Sequence, residues 1–257
     1  MPKQKSRAVE APLSRAHVLR MKPSVALSRQ IYELLRDQIS TFALKPYEQV
    51  SEQAIASELG VSRTPVREAL ARLAELGFVD IFPQSGTVIA PLRLPDLEKS
   101  QFLREALELA LLRRAMEGPG ASELVRKLHL ELAVQRTLVD VRDSVRFYAA
   151  DEAFHAHIAA QAGLATVLQE MARAKTHMDR FRHLMLSGID SFQTILEQHV
   201  AIVDAIESRK VAKAESAMKT HLRRILDFVD RARAAHPDYF EDNHSEPAKM
   251  RFGGRGT

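Results

Sequence analysis

Residues 51–79, SEQAIASELGVSRTPVREALARLAELGFV, decide the fold of the first part of this chain. They predict two short helices joined by a tight turn at Gly60, because glycine reaches the left-handed conformation that ends a helix at little cost. Ser51 can cap the first helix, and Ser62 or Thr64 can cap the second, because hydroxyl oxygens accept hydrogen bonds from free backbone amides. Two helices connected in this way are typical of a helix-turn-helix.

The second of these helices has two different faces. At 3.6 residues per turn, Val66, Leu70 and Leu73 share one packing side. Arg63 and Arg67 lie together on another flank. A solvated charged face is the ordinary interpretation of such arginines. The surrounding sequence favours a helix that reads DNA, because a planar guanidinium group pairs with guanine edges or phosphate oxygens.

A hairpin is predicted directly after this helix. Residues 78–82 and 87–90 have the composition of strands, and residues 83–86 that of a turn. A hairpin in this place is the wing of a winged helix, and residues 27–42 supply a further helix. The predicted DNA-contacting residues are Gln53, Ser62, Arg63, Thr64, Arg67 and Gly86.

These residues resemble a known family. The runs LSRQIYELLRDQI (27–39) and GVSRTPVREAL (60–70) are similar to the N-terminal domain of GntR-type bacterial transcription regulators, and the second run is especially specific. The chain departs from the family pattern at Phe42 and Tyr47, where the family often has glycine. The resemblance implies a homodimer that binds double-stranded DNA at a pseudo-palindromic operator.

Composition limits the remaining possibilities. The chain has 257 residues and no cysteine, which excludes a disulfide framework and a thiolate metal site. No stretch approaches the roughly 18 apolar residues of a membrane span. The N-terminus lacks the apolar segment of a signal peptide. We therefore expect a cytoplasmic protein without a membrane partner.

The net charge of +4 is unevenly distributed along the chain. Residues 1–22 carry six basic side chains and one acidic side chain, a net charge of +5, so the remaining residues sum to −1. We interpret residues 1–23 as a basic flexible arm. Such an arm is either a plain disordered extension or an added source of attraction to DNA phosphates.

The rest of the chain predicts helices only. The amphipathic segments are 96–116, 122–139, 144–162, 165–186, 191–207 and 211–235. Short breaks between them indicate an antiparallel bundle over residues 96–236, and the polar residues 237–257 predict a flexible tail. With a winged domain over residues 24–92, the fold class is mainly α: an N-terminal winged helix-turn-helix plus a C-terminal all-α antiparallel helical bundle.

Four polar residues occupy inward positions of these helices. Asp151 and His155 lie four residues apart on one helix face, and His199 and His221 lie in the apolar rows of two later helices. Imidazole and carboxylate ligands together suit a divalent cation such as Zn²⁺, Ni²⁺ or Mn²⁺. The alternative is that each histidine is a core residue satisfied by hydrogen bonds. The four inward positions together favour one divalent metal per chain.

This part of the chain also resembles a family. The segments DEAFHAHIAAQAG (151–163), EQHVAIVDAI (197–206) and AMKTHL (217–222) are similar to the all-helical FCD ligand-binding domain of the FadR subfamily. The resemblance implies that the Asp and three His are metal ligands and that a small carboxylate effector completes the coordination of the metal.

Three arginines are candidates for binding that effector. Arg104 matches the family's arginine on the first bundle helix, although an ion pair with Glu108 would also explain it. Arg180 and Arg182 are further candidates for the cavity, and solvation near a helix end is their alternative interpretation.

Three functions fit this organisation. The first is a ligand-responsive DNA-binding transcription regulator, a repressor, that senses a small organic acid through the metal. The second is a metal-dependent enzyme, because a metal on such ligands can activate water. The third is a constitutive DNA-binding protein with a structural metal. The DNA-binding half favours a regulator over an enzyme.

Overall fold

The structure is a computed structural model that describes residues 26–83, 86–164, 166–185 and 190–241. The described residues divide into two compact units, of which the first combines residues 26–93 with residues 233–241. The second unit is Leu94–Ala232. The predicted arm 1–23, the tail from residue 242 and the middle of the predicted wing turn, Gln84 and Ser85, lie outside the described residues.

The first unit has the elements of a winged helix. Its elements are α1 (Leu27–Ser40), β1 (Gln49–Val50), α2 (Glu52–Leu59), α3 (Arg63–Glu75), β2 (Val79–Phe82) and β3 (Gly86–Ile89). The strands form an antiparallel sheet in the order β1-β3-β2. The predicted hairpin is present, and β1 is an additional short strand on its outer edge.

Local sequence signals explain where α2 and α3 begin and end. Ser51 caps α2, because its hydroxyl oxygen accepts a hydrogen bond from the Ala54 amide at 3.4 Å. Gly60 ends α2 with a left-handed φ of 66°. Ser62 stands at the N-cap position of α3 without a capping hydrogen bond from its side chain. The apolar sides of the helices and strands meet in one core, which includes Ile31, Leu35, Ile55, Leu59, Val66, Leu70, Leu73, Phe78 and Ile89.

The second unit is a helical bundle. Its helices are α4 (Leu94–Glu117), α5 (Ala121–Asp140), α6 (Ser144–Gln161), α7 (Val167–Ala174), α8 (Thr176–Met185), α9 (Asp190–Glu207) and α10 (Val211–Arg223). A last helix, α11 (Val229–Ala235), begins in this unit and ends three residues after Ala232. Helix α9 packs against α5 and α10, and α4 packs against α6, α8 and α10. In the part of the chain that the structure describes, no helix has both the length and the apolar character needed to cross a bilayer.

Two helices that the sequence predicts as continuous are interrupted. Segment 165–186 is divided into α7 and α8 at Lys175, where the Thr176 hydroxyl donates a hydrogen bond back to the Ala172 carbonyl at 3.0 Å. Such back-bonding competes with the helical ladder. Segment 211–235 is interrupted by a 3₁₀ turn, Arg224–Phe228. Apolar periodicity does not register these breaks, because the tighter turns keep the apolar residues on similar faces.

The predicted flexible tail differs from the structure over its first five residues. A 3₁₀ turn, Pro237–Tyr239, follows α11, and Phe240 is buried. Leu92 and Phe240 form a parallel β-bridge. Residues 237–241 therefore belong to the first unit. Periodicity does not predict this docking, because it depends on two aromatic residues rather than on a long amphipathic element.

Candidate DNA-reading surface and metal centre

The residues predicted to contact DNA are exposed on the first unit. They are Gln53, Ser62, Arg63, Thr64, Arg67 and Gly86. The side chains of Arg63 and Arg67 are 56% and 66% exposed. Both arginines project from the first two turns of α3, so the structure presents a basic, accessible helix start.

Glu52 holds these two arginines in place. This residue is the first of α2, and its carboxylate accepts hydrogen bonds from Arg63 Nη2 at 3.1 Å and from Arg67 Nη2 at 3.1 Å. The hydrogen bond from Arg67 lowers the pKa of the Glu52 carboxyl. DNA phosphates would compete with Glu52 for the same guanidinium groups. Glu52 is not among the residues predicted from the sequence, although its position directly after the cap Ser51 was a signal.

The described part of the wing requires glycine at one position. Gly86 begins β3 with a φ of 109°, outside the range that side-chain-bearing residues favour. A Cβ atom there would lie 2.8 Å from the amide nitrogen of the Gln49 side chain. The positive φ is the stronger reason for glycine here, because the end of the Gln49 side chain can move away.

The structure brings Asp151, His155, His199 and His221 together inside the bundle. All four are buried, and one ligand atom of each lies within 4.8 Å of the others. His221 Nε2 is 3.1 Å from His155 Nε2 and 3.3 Å from His199 Nε2. Asp151 Oδ1 is 3.5 Å, 3.9 Å and 4.0 Å from Nε2 of His199, His155 and His221. Helices α6, α9 and α10 thus direct four ligand atoms at one point.

These separations match the spacing of ligands around a metal ion. With metal–ligand bonds of about 2.1 Å, neighbouring ligand atoms are about 3.0 Å apart in an octahedron and about 3.4 Å apart in a tetrahedron. The separations of His221 Nε2 from His155 Nε2 and from His199 Nε2 lie between these values, and the separations from Asp151 Oδ1 are longer by up to about 0.6 Å than the tetrahedral value. The four residues can therefore hold one divalent cation.

Hydrogen-bond partners at the opposite ring nitrogens fix the direction of two of the imidazoles. His199 Nδ1 lies 2.8 Å from Gln135 Oε1, and His221 Nδ1 lies 3.2 Å from Gln198 Oε1. An amide oxygen can only accept, so each Nδ1 carries the proton and each Nε2 carries a lone pair. This is the tautomer that binds a metal through Nε2.

His155 adopts the same tautomer between two charged residues, Glu108 and Arg104. Glu108 Oε2 lies 2.5 Å from its Nδ1, off the axis of a regular hydrogen bond. On the other side of the ring, Arg104 Nη2 donates to Nε2 at 3.2 Å, and a guanidinium group has no acceptor. Nε2 of His155 therefore also carries a lone pair. The sequence did not predict that Glu108, Gln135 and Gln198 are partners of the imidazoles.

The protonation states of the cluster suit a cation. Burial lowers the pKa of His199 to about 3, and burial together with the neighbouring imidazoles holds the pKa of His221 well below its ordinary value. Burial raises the pKa of the Asp151 carboxyl, and nearby positive charge, chiefly that of Arg182, lowers it. The second effect is larger, so the pKa lies below its ordinary value. Near neutral pH the two imidazoles are neutral and the carboxylate is charged, the forms that bind metals.

A cavity adjoins this cluster. Its polar lining residues include Asp151 and His221 of the cluster, and Arg104, Tyr148 and Arg182. The apolar part of the wall consists of Phe147, Phe192, Ile195, Leu222, Ile225 and Phe228, and Arg224 also lines the cavity. A molecule in this cavity would reach the point on which the four ligand atoms converge.

The three arginines proposed for effector binding differ in position. Arg104 and Arg182 line the cavity, and Arg182 Nη1 lies 3.3 Å from Asp151 Oδ2 and 2.8 Å from Glu152 Oε1. Arg104 Nε also donates to Glu108 at 2.6 Å. Arg180 is fully buried but does not line the cavity. Arg180 is buried, and Arg182 is partly exposed and paired with two carboxylates, so neither is fully solvated.

Comparison with known families assigns both units. Residues 27–89 match the family described as "Bacterial regulatory proteins, gntR family". Residues 101–224 match the FCD domain. The first match covers the winged helix, and the second covers the four cluster residues and most of the bundle.

Individual proteins of the same kind are similar over most of the chain. An uncharacterized HTH-type transcriptional regulator in an unstable DNA locus of Streptomyces ambofaciens is 37% identical over 219 residues, which cover 82% of this chain and 89% of that protein. The HTH-type transcriptional repressor RspR of Escherichia coli is 29% identical over 222 residues, which cover 86% of this chain and 97% of that protein.

Solved structures agree on the fold. E. coli McbR/YncC superposes with a TM-score of 0.65 at 19% identity, covering 80% of this chain and 98% of that one. A putative GntR regulator from Rhodococcus sp. RHA1 superposes with a TM-score of 0.60 at 23% identity, covering 78% of this chain and 97% of that one. Given the family matches and the 37% identity to the Streptomyces regulator, this chain belongs to the GntR family of DNA-binding transcription regulators, with an FCD domain after its winged helix, and is not an enzyme.

Proposed function

We propose that the protein is a homodimeric, cytoplasmic repressor that senses a small organic acid through a divalent metal held by the four cluster residues. The observation that carries this proposal is the cavity that shares Asp151 and His221 with the cluster. An acid in that cavity would bind the metal with its carboxylate. The E. coli protein RspR, to which this chain is similar, is named a repressor, and this name supports repression rather than activation.

The charges around the cluster favour an anionic effector. Ion pairs already join Arg104 with Glu108, Lys175 with Glu152, and Arg182 with Asp151 and Glu152. A bound divalent cation adds two positive charges to this buried, balanced set. A buried charge is costly unless it is paired. A carboxylate would offset part of the added charge.

Arg104 connects metal binding to effector binding. Its Nη2 donates to His155 Nε2, the nitrogen that would bind the metal. A metal at that nitrogen would displace the guanidinium N–H and leave it available to a carboxylate in the cavity. The apolar wall formed by Phe147, Phe192 and Phe228 favours an acid with an apolar body over a polyhydroxylated one.

Metal content is the first test of this proposal. We expect elemental analysis of the purified protein to find about one divalent ion per chain, Zn²⁺, Ni²⁺ or Mn²⁺, because four ligands converge on one point. His199→Ala should lose this ion. The matched control is His129→Ala, which removes an exposed histidine paired with Glu207 outside the cluster. Absence of metal before and after reconstitution would show that the histidines are ordinary core residues.

DNA reading is tested on α3. We expect Arg63→Ala and Arg67→Ala each to cost roughly 1–3 kcal/mol of discrimination between a duplex selected by the unmodified protein and a random duplex. The control is Arg29→Ala, an exposed arginine on α1 that pairs with Glu33. Unchanged preference in both α3 variants would contradict the assigned recognition face.

Sensing is tested with a thermal-shift screen of small carboxylic acids on metal-loaded protein. An acid that binds only the folded state raises the melting temperature. A stabilising acid should also weaken binding to the selected duplex, by about 1–3 kcal/mol of coupling free energy. If stabilising acids leave DNA affinity unchanged, the protein binds DNA constitutively and its metal is structural.

A further inference from the structure

Two aromatic residues of the first unit adopt a backbone conformation that glycine would favour. Phe42 and Tyr47, in the segment between α1 and β1, have φ values of 59° and 66°. Bulky residues rarely adopt positive φ, because their Cβ atom crowds the backbone. The chain therefore holds two aromatic residues in a backbone conformation that costs free energy.

Both side chains contact the segment 237–241. The ring of Phe42 packs against the ring of Tyr239, with centroids 5.0 Å apart. The Tyr47 hydroxyl donates a hydrogen bond to the Phe240 carbonyl at 3.0 Å. Phe240 itself is 4% exposed. The two residues with positive φ, Phe42 and Tyr47, thus form part of the surface that binds residues 237–241.

Backbone and charge contacts complete this attachment. The Leu92 amide donates to the Tyr239 carbonyl at 2.8 Å, and the Glu241 amide donates to the Leu92 carbonyl at 3.0 Å. Arg93 donates through Nε to Glu241 at 3.0 Å and through Nη2 to Asp80 of β2 at 2.8 Å. Leu92 thus forms backbone hydrogen bonds with the residues on either side of Phe240, as in a parallel pair of strands.

The same residues support the wing sheet. The Tyr47 amide donates to the Ile89 carbonyl at 2.8 Å, and the Ile89 amide donates to the Glu48 carbonyl at 2.9 Å. Arg93 connects β2 to Glu241. Detachment of residues 237–241 would therefore remove contacts that support β1, through Tyr47, and β2, through Arg93. These are the two outer strands of the wing sheet.

We propose that residues 237–241 are an intramolecular ligand of the winged unit, bound by Phe42, Tyr47, Leu92 and Arg93, and that full DNA affinity depends on their attachment. The partner of this surface is the chain's own C-terminal segment. The proposal rests on the contacts within the first unit and on DNA binding, and it is independent of any metal or effector.

The first test uses the strain at Phe42 in the full-length protein. Phe42→Gly removes both the strain and the aromatic contact. We expect it to lower the melting temperature of the winged unit by about 3–6 °C when Tyr239 and Phe240 are present. In a full-length Tyr239→Ala/Phe240→Ala background the contact is already lost, so Phe42→Gly should leave the melting temperature unchanged or raise it.

A matched control separates strain from attachment. Arg142 has a φ of 57° and is exposed in the second unit, so Arg142→Gly should change stability equally in both backgrounds. A Phe42→Gly loss of the same size in both backgrounds would overturn the proposal, because the effects of independent sites add. Tyr47→Phe, which removes only the hydroxyl that donates to the Phe240 carbonyl, should show a smaller loss than Phe42→Gly in the unmodified background.

The second test measures DNA affinity with a random-sequence duplex. We expect the Tyr239→Ala/Phe240→Ala protein to bind it three- to tenfold more weakly than the unmodified protein. The control is Phe102→Ala, which removes an aromatic side chain that is 73% exposed on α4. Unchanged affinity in the double variant, with a protein that folds, would contradict a role of the attached segment in DNA binding.

Discussion

Gln135 sets the direction of one imidazole in the metal cluster. It lies on α5, is fully buried, and donates through Nε2 to the Ala150 carbonyl at 3.1 Å. That donation fixes which end of the amide is oxygen, so Oε1 must accept from His199 Nδ1. Phe154 stacks on the same imidazole ring, with centroids 4.0 Å apart. Gln135 on α5 and Phe154 on α6 thus hold His199 in the orientation that directs its Nε2 into the cluster.

We expect Gln135→Leu to weaken metal binding by about 10–100-fold, because an outer partner of a ligating histidine fixes its tautomer and orientation. Gln135→Glu keeps an acceptor for His199 Nδ1 and should retain more of the affinity. Competition titration with a chelating dye measures both. Gln193→Leu, an exposed glutamine on α9, is the control. Equal affinity for Gln135→Leu and the control would show that Gln135 does not act on the metal site.

At the scale of elements, the helix-turn-helix and the wing depend on glycines in two different ways. Gly60 ends α2 at a φ of 66°, and a Cβ atom there would meet nothing within 4 Å. Gly86 has a φ of 109° and faces the Gln49 side chain. The first position lies in the left-handed region that other residues reach at a cost, whereas the second lies outside it.

We therefore expect Gly60→Ala to destabilise the winged unit by about 1 kcal/mol and Gly86→Ala by about 1–3 kcal/mol. Thermal unfolding of the full chain measures both. Gly86→Ala should also weaken DNA binding more than Gly60→Ala does, because it changes the wing strand next to β1. Larger damage from Gly60→Ala in both measurements would contradict this order.

At the scale of the whole molecule, the chain runs from the first unit into the second and back again. The second unit begins at Leu94 and ends at Ala232, and both of its ends continue into the first unit. Each unit has its own apolar core. The proposed metal lies among residues of the second unit only, so its contribution to stability belongs to that unit.

Removal of metal by a chelator should lower the unfolding transition of the FCD unit and leave that of the winged unit nearly unchanged. A metal present at about 1,000 times its dissociation constant stabilises the state that binds it by about 4 kcal/mol. Scanning calorimetry of the full chain before and after chelation measures the shift, and adding metal back should reverse it. Equal shifts in both transitions, or none, would contradict a metal site confined to the bundle.

The sequence by itself determined the winged helix and the bundle, and it singled out the four residues that cluster inside the bundle. These features depend on local backbone preferences and on apolar periods of two and 3.6 residues, which a single sequence displays. The family resemblance carried the assignment further, from a fold to a class of regulator.

Only the tertiary structure decided which partners the functional residues have. Glu52 on the arginines of α3, Gln135 on His199 and Phe240 beside Leu92 each join positions that are far apart in the chain. Such contacts have no period and no local propensity. They depend on the distances and angles that remain after the helices and strands have packed.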